Sequence, residues 1–496
     1  MKYNLLKLLR ISALLSISFT FSLFPIKEPV YAQITISDTL SGILEGTTYN
    51  VVGDVFVNFG DTLIIEAGAV FLFDSVYSIR VYGHLFANGT STDSIYFMPS
   101  NVEIEWKSIY YEDWGGIGGE LNYCHITGCS GGGVNVLDNS EVIISNCTIT
   151  GNHANWGGGI YVRYSEPLIT DCLVSNNWSV NNGGGIYISH ASPVIINCVV
   201  TENVSDNGGG GSGQGGGGIC ANHDSHPTIN DCIIYNNSTF GKGGGLVIND
   251  ISQAVVQWCQ IYDNYSELTG GGVFISFAEP LIKNCTIYGN TSNLLGGGIT
   301  VEADAIPVIK NTIISSNLGE GGILIARSPD LILEYCDIFD NANGNIIGDT
   351  IPEFLGQLTT VNANGDSCDI FYNIFADPGF TDPLNKDFSL LPDSRCIDAG
   401  DPGGTYDPDG TAADMGALFY PQGEVLIYDL TVEISGLDAV LHWLPVAEAS
   451  AYNIYRSEEP YFDYSSILPL AVTGNAFYSD PEVFEFGKYF YKVTWE

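Results

Sequence analysis

Residues 157–177 read GGGIYVRYSEPLITDCLVSNN, and the middle of the chain repeats this phrase. It contains a Gly-Gly-Gly block, a short run in which apolar residues alternate with others, a proline and a cysteine. A β-branched residue follows two positions after the cysteine, and an asparagine follows five positions after it. The cysteine position, here called the marker, recurs every 23 to 27 residues with one step of 34. The markers are Cys124, Cys147, Cys172, Cys198, Cys232, Cys259, Cys285, Thr312 and Cys336. A period of this length with short alternating runs indicates a solenoid.

Two more columns keep register with the marker. The β-branched column is Ile126, Ile149, Val174, Val200, Ile234, Ile261, Ile287, Ile314 and Ile338, and the asparagine column is Asn152, Asn177, Asn203, Asn237, Asn264, Asn290, Asn317 and Asn341. The runs are too short and too β-branched for helices, which leaves a parallel β-helix. Side chains alternate along a strand, so the marker and the residue two positions later both point inward. We expect the asparagines to form a hydrogen-bonded ladder at one bend.

The residues before the first marker fit the same repeat architecture. Val51–Val57 and Leu63–Phe71 resemble the entry turns of right-handed β-helix proteins. The repeat resembles the parallel β-helix repeat of the pectin-lyase-like superfold, and its Gly-Gly-Gly-Ile and Ile-x-x-Asn phrases are similar to repeats of chlamydial polymorphic outer membrane proteins. The resemblance covers about residues 45–345 and implies an all-β, right-handed parallel β-helix. It does not select a function, because lyases, hydrolases, epimerases and adhesins share the fold.

The two ends of the chain suggest further segments. Basic residues followed by the uncharged apolar run Ile11–Phe24 and a small residue, Ala32, are typical of a secretory signal peptide. Phrases such as Cys396–Gly400 resemble the closing segment of secreted bacterial β-helices. Strand-like runs at Tyr452–Arg456 and Tyr489–Val493 resemble strands of a fibronectin type III domain. We therefore predict a signal peptide at 1–32, a β-helix at 33–350, a cap or linker at 351–423 and a fibronectin type III-like β-sandwich at 424–496.

The chain is strongly acidic, with 16 basic and 57 acidic residues and a formal net charge of −41. A field of this sign repels nucleic acid and anionic membranes, so we exclude both as partners. Calcium, basic proteins and neutral polymers remain possible partners, although solubility alone also explains such a charge. No segment after the leader is apolar enough to span a membrane, and we expect a secreted or cell-surface monomer.

Aromatic residues give the clearest candidate for a binding surface. Tyr235, Tyr262 and Tyr288 stand three positions after consecutive markers and should stack in an exposed row. Tyr161 and Tyr187 repeat on another face. Either row could serve as a platform for sugar faces or for a partner protein, and the alternative is ordinary packing between neighbouring strands.

The predicted cap holds two further candidates. Asp401, Asp407, Asp409 and Asp414 lie in a glycine-rich segment and could bind calcium, although aspartate also suits turns for backbone reasons. Cys368 and Cys396 lie off the marker column and are the predicted disulfide in an exported protein. The marker cysteines are predicted to be buried, unpaired thiols.

Catalytic patterns are scarce. Asn222 to Pro227 resembles the acid-and-histidine clusters of alginate epimerases, yet it aligns with Tyr164–Pro167 and His190–Pro193 as one version of a repeated turn. We therefore predict a non-catalytic binding or structural protein, such as an adhesin or a component that binds a neutral polysaccharide or a surface protein. The alternative is a polysaccharide lyase, glycoside hydrolase or epimerase, which would need acidic and basic residues in one groove on adjacent turns.

Overall fold

The structure is a computed structural model that describes residues 34–112, 118–206, 215–327, 330–422 and parts of 425–495. The predicted signal peptide lies outside the described residues. Thr35–Glu496 forms one compact unit. Within the described parts of the chain, no helix has the length and apolar character that crossing a bilayer requires.

The repeats form a parallel β-helix with four strand positions in each coil, which confirms the predicted fold class. Sheet 1 follows the glycine blocks, sheet 2 precedes the markers, sheet 3 contains the residues after the markers, and sheet 4 follows the asparagine column. Each strand pairs in parallel with its equivalent one coil later, as in Ile160↔Ile186 and Ile149↔Val174. The first long strand, Thr48–Val57, takes part in both sheet 1 and sheet 3 and also pairs with Ile34–Thr39.

The strands of the four sheets have the following bounds. Sheet 1 continues with Ile79–Val81, Ile109–Glu112, Val134–Leu137, Ile160–Arg163, Ile186–Ser189, Ile219–Asn222, Leu246–Asn249, Val273–Ser276, Ile299–Glu302, Ile323–Ala326 and Ile346–Gly348. Sheet 2 consists of Gly42–Leu44, Thr62–Glu66, His84–Asn88, Gly118–Asn122, Glu141–Ser145, Leu168–Thr170, Val194–Ile196, Thr228–Asn230, Val255–Gln257, Leu281–Lys283, Val308–Lys310 and Ile332–Glu334. Sheet 3 continues with Val70–Phe73, Ile95–Pro99, Cys124–Thr127, Thr148–Thr150, Leu173–Ser175, Val199–Thr201, Ile233–Tyr235, Gln260–Tyr262, Thr286–Tyr288, Ile313–Ser315 and Asp337–Phe339. Sheet 4 consists of His153–Ala154, Trp178–Ser179, Val204–Ser205, Ser238–Thr239, Tyr265–Ser266, Thr291–Leu295 and Leu318–Glu320.

The interior follows the predicted columns. The marker cysteines and the β-branched residues two positions later belong to one continuous buried core. The asparagines form the predicted ladder: Asn264, for example, donates from Nδ2 to Asn290 Oδ1 at 3.0 Å and accepts at Oδ1 from Asn237 Nδ2 at 3.0 Å. Asn264 also donates to the carbonyl oxygen of Ile234 at 2.8 Å.

Three bends in each coil place a residue in the left-handed backbone region, with φ near 50–60° for most non-glycine members, and in some coils the first bend places two consecutive residues there. The first bend, between sheets 1 and 2, has Asp138, Tyr164, His190, His223, Asp250, Phe277, Ala303 and Arg327. The second, immediately before the marker, has Tyr123, Asn146, Asp171, Asn197, Asp231, Trp258, Asn284, Asn311 and Tyr335. The third, before sheet 4, has Gly128, Gly151, Asn176, Glu202, Asn236, Asp263, Gly289, Ser316 and Asp340. Asparagine, aspartate and glycine tolerate this region best, which explains why they dominate the second and third bends.

The segment after the last coil has two parts. Leu355, Phe371 and Phe375 pack against the end of the β-helix core. Residues 376–422, here called the strap, then fold back along the outer face of sheet 3. Two small hairpins belong to this region, Thr360–Val361 with Ser367–Cys368, and Phe380–Asp382 with Asp387–Leu390, the latter containing the 3₁₀ turn Pro383–Asn385.

Two antiparallel sheets follow. One contains Val425–Leu426, Tyr452–Ser457, Ala471–Thr473 and Phe490–Trp495, and the other contains Thr431–Ser435, Asp438–His442 and Phe477–Asp480. Leu441, Trp443, Ile454 and Val493 are buried in one cluster. The fibronectin type III assignment and the predicted segment boundaries stay predictions.

Candidate ligand-binding site

The predicted exposed tyrosine row is covered by the strap. Tyr235 and Tyr262 do stack, with ring centroids 5.0 Å apart and an interplanar angle of 15°. Phe388 of the strap packs on Tyr262 at 5.3 Å and on Tyr288 at 5.0 Å, and Tyr262 is 9% exposed. The expectation of a free surface is therefore wrong, because a flat aromatic row gains more by burial against the strap than by facing water.

A charged contact completes this docking surface. Lys386 Nζ lies 2.5 Å from Asp263 Oδ2 and 5.6 Å from the ring centroids of both Tyr262 and Tyr288. The strap thus combines aromatic packing, a cation–π contact and an ion pair on the row that the sequence suggested for a ligand.

The second predicted pair, Tyr161 and Tyr187, divides between a buried and an open position. The two rings lie 5.4 Å apart. Tyr187 is only 4% exposed and clusters with Cys220, Val247 and Phe274 on the outer face of sheet 1. Tyr161 is half-buried and lines an open cleft, so only this member of the pair can reach a ligand.

That cleft, here called the tryptophan cleft, has a volume of about 480 Å³. It is lined by Lys107, Tyr110, Ser130, Gly131, Asn135, His153, Ala154, Asn155, Trp156, Tyr161, Trp178 and Val180. Trp156 is 45% exposed and Trp178 is 36% exposed. The backbone of this site is fixed by the solenoid, since His153 pairs with Trp178 across sheet 4 and Asn135 pairs with Tyr161 across sheet 1.

Polar groups of the tryptophan cleft are held by their neighbours. Asn135 Nδ2 donates to Ser108 Oγ at 2.6 Å and to the Gly131 carbonyl oxygen at 3.0 Å. Burial raises the pKa of the Tyr110 hydroxyl to about 12 and also raises the pKa of Tyr161. Both hydroxyls therefore stay neutral at physiological pH and can donate or accept hydrogen bonds.

The first bend carries an exposed column of stacked rings. Tyr164 and His190 lie 4.7 Å apart, and His190 and His223 lie 5.5 Å apart. His223 Nδ1 lies 2.6 Å from Asp250 Oδ2 on the next coil. The Tyr164 ring is 48% exposed. A shallow groove of about 330 Å³ beside it is lined by Glu141 and other residues, namely Asn139, Ser140, Tyr164, Ser165, Glu166, His190, Ala191 and Ser192.

The histidine-containing turn repeats a hydrogen bond of the turn on the next coil. The buried Ser225 donates from Oγ to the Asn222 carbonyl oxygen at 2.6 Å and does not line the groove. Ser252 makes the same bond to the Asn249 carbonyl oxygen one coil later. His226 and Asp224 face solvent and lie 3.2 Å apart.

The four aspartates proposed for calcium are used by other partners. Asp401 Oδ2 pairs with Lys310 Nζ at 3.0 Å, and Asp409 Oδ1 accepts from the Thr411 backbone N–H at 3.0 Å. Asp414 Oδ1 accepts from the Asp398 N–H, and Asp407 Oδ2 accepts from the Asp414 N–H. Across the described ranges, no group of three or more acidic, histidine or cysteine side chains is arranged to hold a metal ion.

The cysteines are buried free thiols throughout the described chain, as predicted for the marker column. Cys368 and Cys396 do not form the predicted disulfide in the structure, although both belong to the core under the strap. Cys396 donates from Sγ to Asp337 Oδ2 at 3.4 Å. Burial raises the pKa of the Asp337 carboxyl to about 8. Pairing of these two cysteines stays a prediction.

Comparison with known proteins places the chain in a family. The model of the right-handed β-helix region matches residues 58–217, 114–266, 153–305 and 217–377, which together exceed half of the chain. The protein therefore belongs to the right-handed β-helix family. A search of curated protein sequences finds no match.

A search of solved structures finds matches at low identity. A mutant of a periplasmic alginate epimerase is 13% identical, with 61% of this chain and 73% of that chain covered and a TM-score of 0.38. A pectate lyase is 14% identical, with 72% and 89% covered and a TM-score of 0.30. A tailspike protein of an E. coli bacteriophage in complex with a pentasaccharide is 10% identical, with 91% and 87% covered and a TM-score of 0.19. Likenesses at this level carry no argument about the ligand of this chain.

Proposed function

We propose that this protein is a secreted or cell-surface, non-catalytic glycan-binding protein whose binding site is the tryptophan cleft. The observation that supports this proposal most strongly is the pairing of two exposed tryptophans with two tyrosines around Asn135 and His153. Binding sites for small ligands are typically concave and apolar, with a few polar groups that fix orientation. A sugar ring presents one apolar face and several hydroxyls, which matches this lining.

Backbone rigidity favours binding at this site. Tyr110, Tyr161 and Trp178 stand on strands that are paired on adjacent coils, so their backbone positions are fixed before a ligand binds. A loop-borne site would lose more conformational entropy for the same contacts.

The charge of the protein favours neutral glycans over uronates. The formal net charge is −41, and His153 Nδ1 lies 3.7 Å from Glu105 Oε1 at the edge of the cleft. Lys107 is the one lysine or arginine that lines the cleft among the described residues. A polyanionic chain would therefore meet a repulsive field.

A glycan array with neutral and uronate oligosaccharides tests the proposal. We expect the wild-type protein to retain neutral glycans and the Trp156→Ala/Trp178→Ala double variant to lose them. Phe240→Ala is the matched control, because Phe240 is 60% exposed and does not line the cleft. Equal retention by the double variant and the control, or no retention by wild type, would contradict the proposal.

A second candidate function is polysaccharide cleavage or epimerisation at the first bend. The observation that favours it is a groove edge with acidic and basic groups on adjacent coils, where Arg163 pairs with Asp138 at 3.1 Å and His223 pairs with Asp250 at 2.6 Å. A depolymerisation and epimerisation screen with and without calcium tests it. If His190→Gln and His223→Gln each abolish the activity and the Trp156→Ala/Trp178→Ala variant retains it, the groove at the first bend is the active site.

A further inference from the structure

A second cleft, here called the cap cleft, lies between the second bend and the strap. Its volume is about 630 Å³. It is lined by Asp231, Trp258, Asn284, Thr405, Tyr406, Asp407, Pro408, Ala417, Leu418 and Phe419. The tryptophan cleft is lined by none of these residues, so the two clefts are separate.

Two aromatic rings of the cap cleft remain open to solvent. Trp258 is 36% exposed and Tyr406 is 68% exposed. Lys283 Nζ already lies 5.6 Å from the Trp258 ring centroid, which shows that this ring can carry a cation–π contact. Trp258 also occupies a bend where the neighbouring coils have Asp231 and Asn284, and its φ of 51° matches their 52° and 49°.

Two carboxyl groups of the cap cleft lack a cationic partner among the described residues. Asp231 and Asp407 form no ion pair there. Burial raises the pKa of Asp231, and burial together with the charge of Asp414 raises the pKa of Asp407 to about 7. Both shifts have the sign expected for carboxylates that are desolvated without a counter-charge.

We propose that the cap cleft binds an alkylammonium group, with its charge opposite Asp231 and Asp407 and its methylenes against Trp258 and Tyr406. The aromatic faces attract the ammonium group and pack against the methylenes beside it, and the carboxylates gain a partner when it enters. A divalent metal ion fits less well, because it needs several converging oxygens and the described residues provide no such group. The negative charge of the whole chain also attracts amines.

Calorimetry on the full-length secreted chain tests this proposal with three probes. Cadaverine represents a free amine, N-acetyl-lysine methylamide represents a lysine side chain of a polypeptide, and N-acetyl-norleucine methylamide is the uncharged control. We expect saturable binding of at least one amine and none of the norleucine compound. Binding of cadaverine alone identifies a free amine as the ligand, and binding of the lysine compound alone identifies a lysine side chain.

The variants use residues that the second bend already accepts. Trp258→Asn and Asp231→Asn introduce the residue found at Asn197 and Asn284 on neighbouring coils, so the backbone should be retained. We expect each to weaken amine binding at least tenfold, or about 1.4 kcal/mol. Tyr164→Asn at the first bend is the matched control and should bind like wild type.

Three results would overturn the proposal. These are unchanged affinity in both cleft variants, equal binding of the norleucine compound, and absence of binding by both amines. If neither amine binds, a separate calcium titration follows, and a saturable calcium signal that Asp231→Asn abolishes would assign the cleft to a metal ion instead. Retention of glycans by the tryptophan cleft is measured separately and does not depend on any of these outcomes.

Discussion

Replacing Asn264 by alanine tests the asparagine ladder at its centre. The side chain is fully buried, accepts at Oδ1 from the Asn237 backbone N–H at 3.0 Å, and donates at Nδ2 to the Ile234 carbonyl oxygen at 2.8 Å. Alanine removes these two bonds together with the ladder bonds to Asn237 Nδ2 and Asn290 Oδ1, and it leaves the Asn237 N–H and the Ile234 carbonyl oxygen without this side chain as a partner. At about 1–3 kcal/mol for each such group, we expect the free energy of unfolding to fall by about 2–6 kcal/mol.

Urea unfolding, followed by both circular dichroism and tryptophan fluorescence, measures this loss of stability. The two unfolding curves must first be shown to coincide, because a solenoid can unfold in parts. Asn293→Ala is the matched control, since Asn293 is exposed in a strand of sheet 4 and its replacement should change stability by less than about 0.5 kcal/mol. If Asn264→Ala is no more destabilising than Asn293→Ala, the ladder does not stabilise the fold and the reasoning fails.

Three further predictions concern the strap. Phe388→Ala should destabilise strap docking by about 3–5 kcal/mol, because the buried ring packs on the tyrosine row, and limited proteolysis within 376–422 should accelerate. Asp407 and Asp414 have pKa values raised to about 7 and about 6 by burial. Their contribution to stability is fully present below about pH 4, where the unfolded chain is protonated too, and it is lost as the pH rises from there to about 7. Asp407→Asn should flatten this dependence of the melting temperature. Mass spectrometry of the non-reduced secreted protein should find Cys368 linked to Cys396, and only alkylatable thiols at both positions would contradict that prediction.

The sequence predicted the interior of the β-helix well because the interior is periodic. A column that repeats once per coil can face only one environment, so Cys172, Val174 and Asn177 each identified a whole layer of the core. Alternation along a strand then determined which neighbours point inward. The same logic correctly identified the turn at Ser225 as a structural repeat.

The surface could not be predicted in the same way. Tyr262 points outward from sheet 3, as alternation requires, but the residues that cover it lie more than a hundred positions later in the strap, and the period of the repeat contains no information about that contact. The tryptophan cleft was missed for a related reason. Trp156 and Trp178 stand at different positions of the repeat and meet only through the folding of two successive coils.

The residues at the left-handed bends can be identified from the sequence once the repeat columns are aligned, and they indicate candidate binding surfaces. Asparagine, aspartate and glycine cost least at these positions, so a bulky residue there carries a conformational cost that surrounding structure must offset. Trp258 interrupts the second bend between Asp231 and Asn284, and it lines the cap cleft. Tyr164 and His190 are bulky residues at the first bend, and they form its exposed stack. The markers alone align the columns, so bulky residues at positions that favour asparagine, aspartate or glycine can be located without a structure. These residues indicate the surfaces where binding should be tested first.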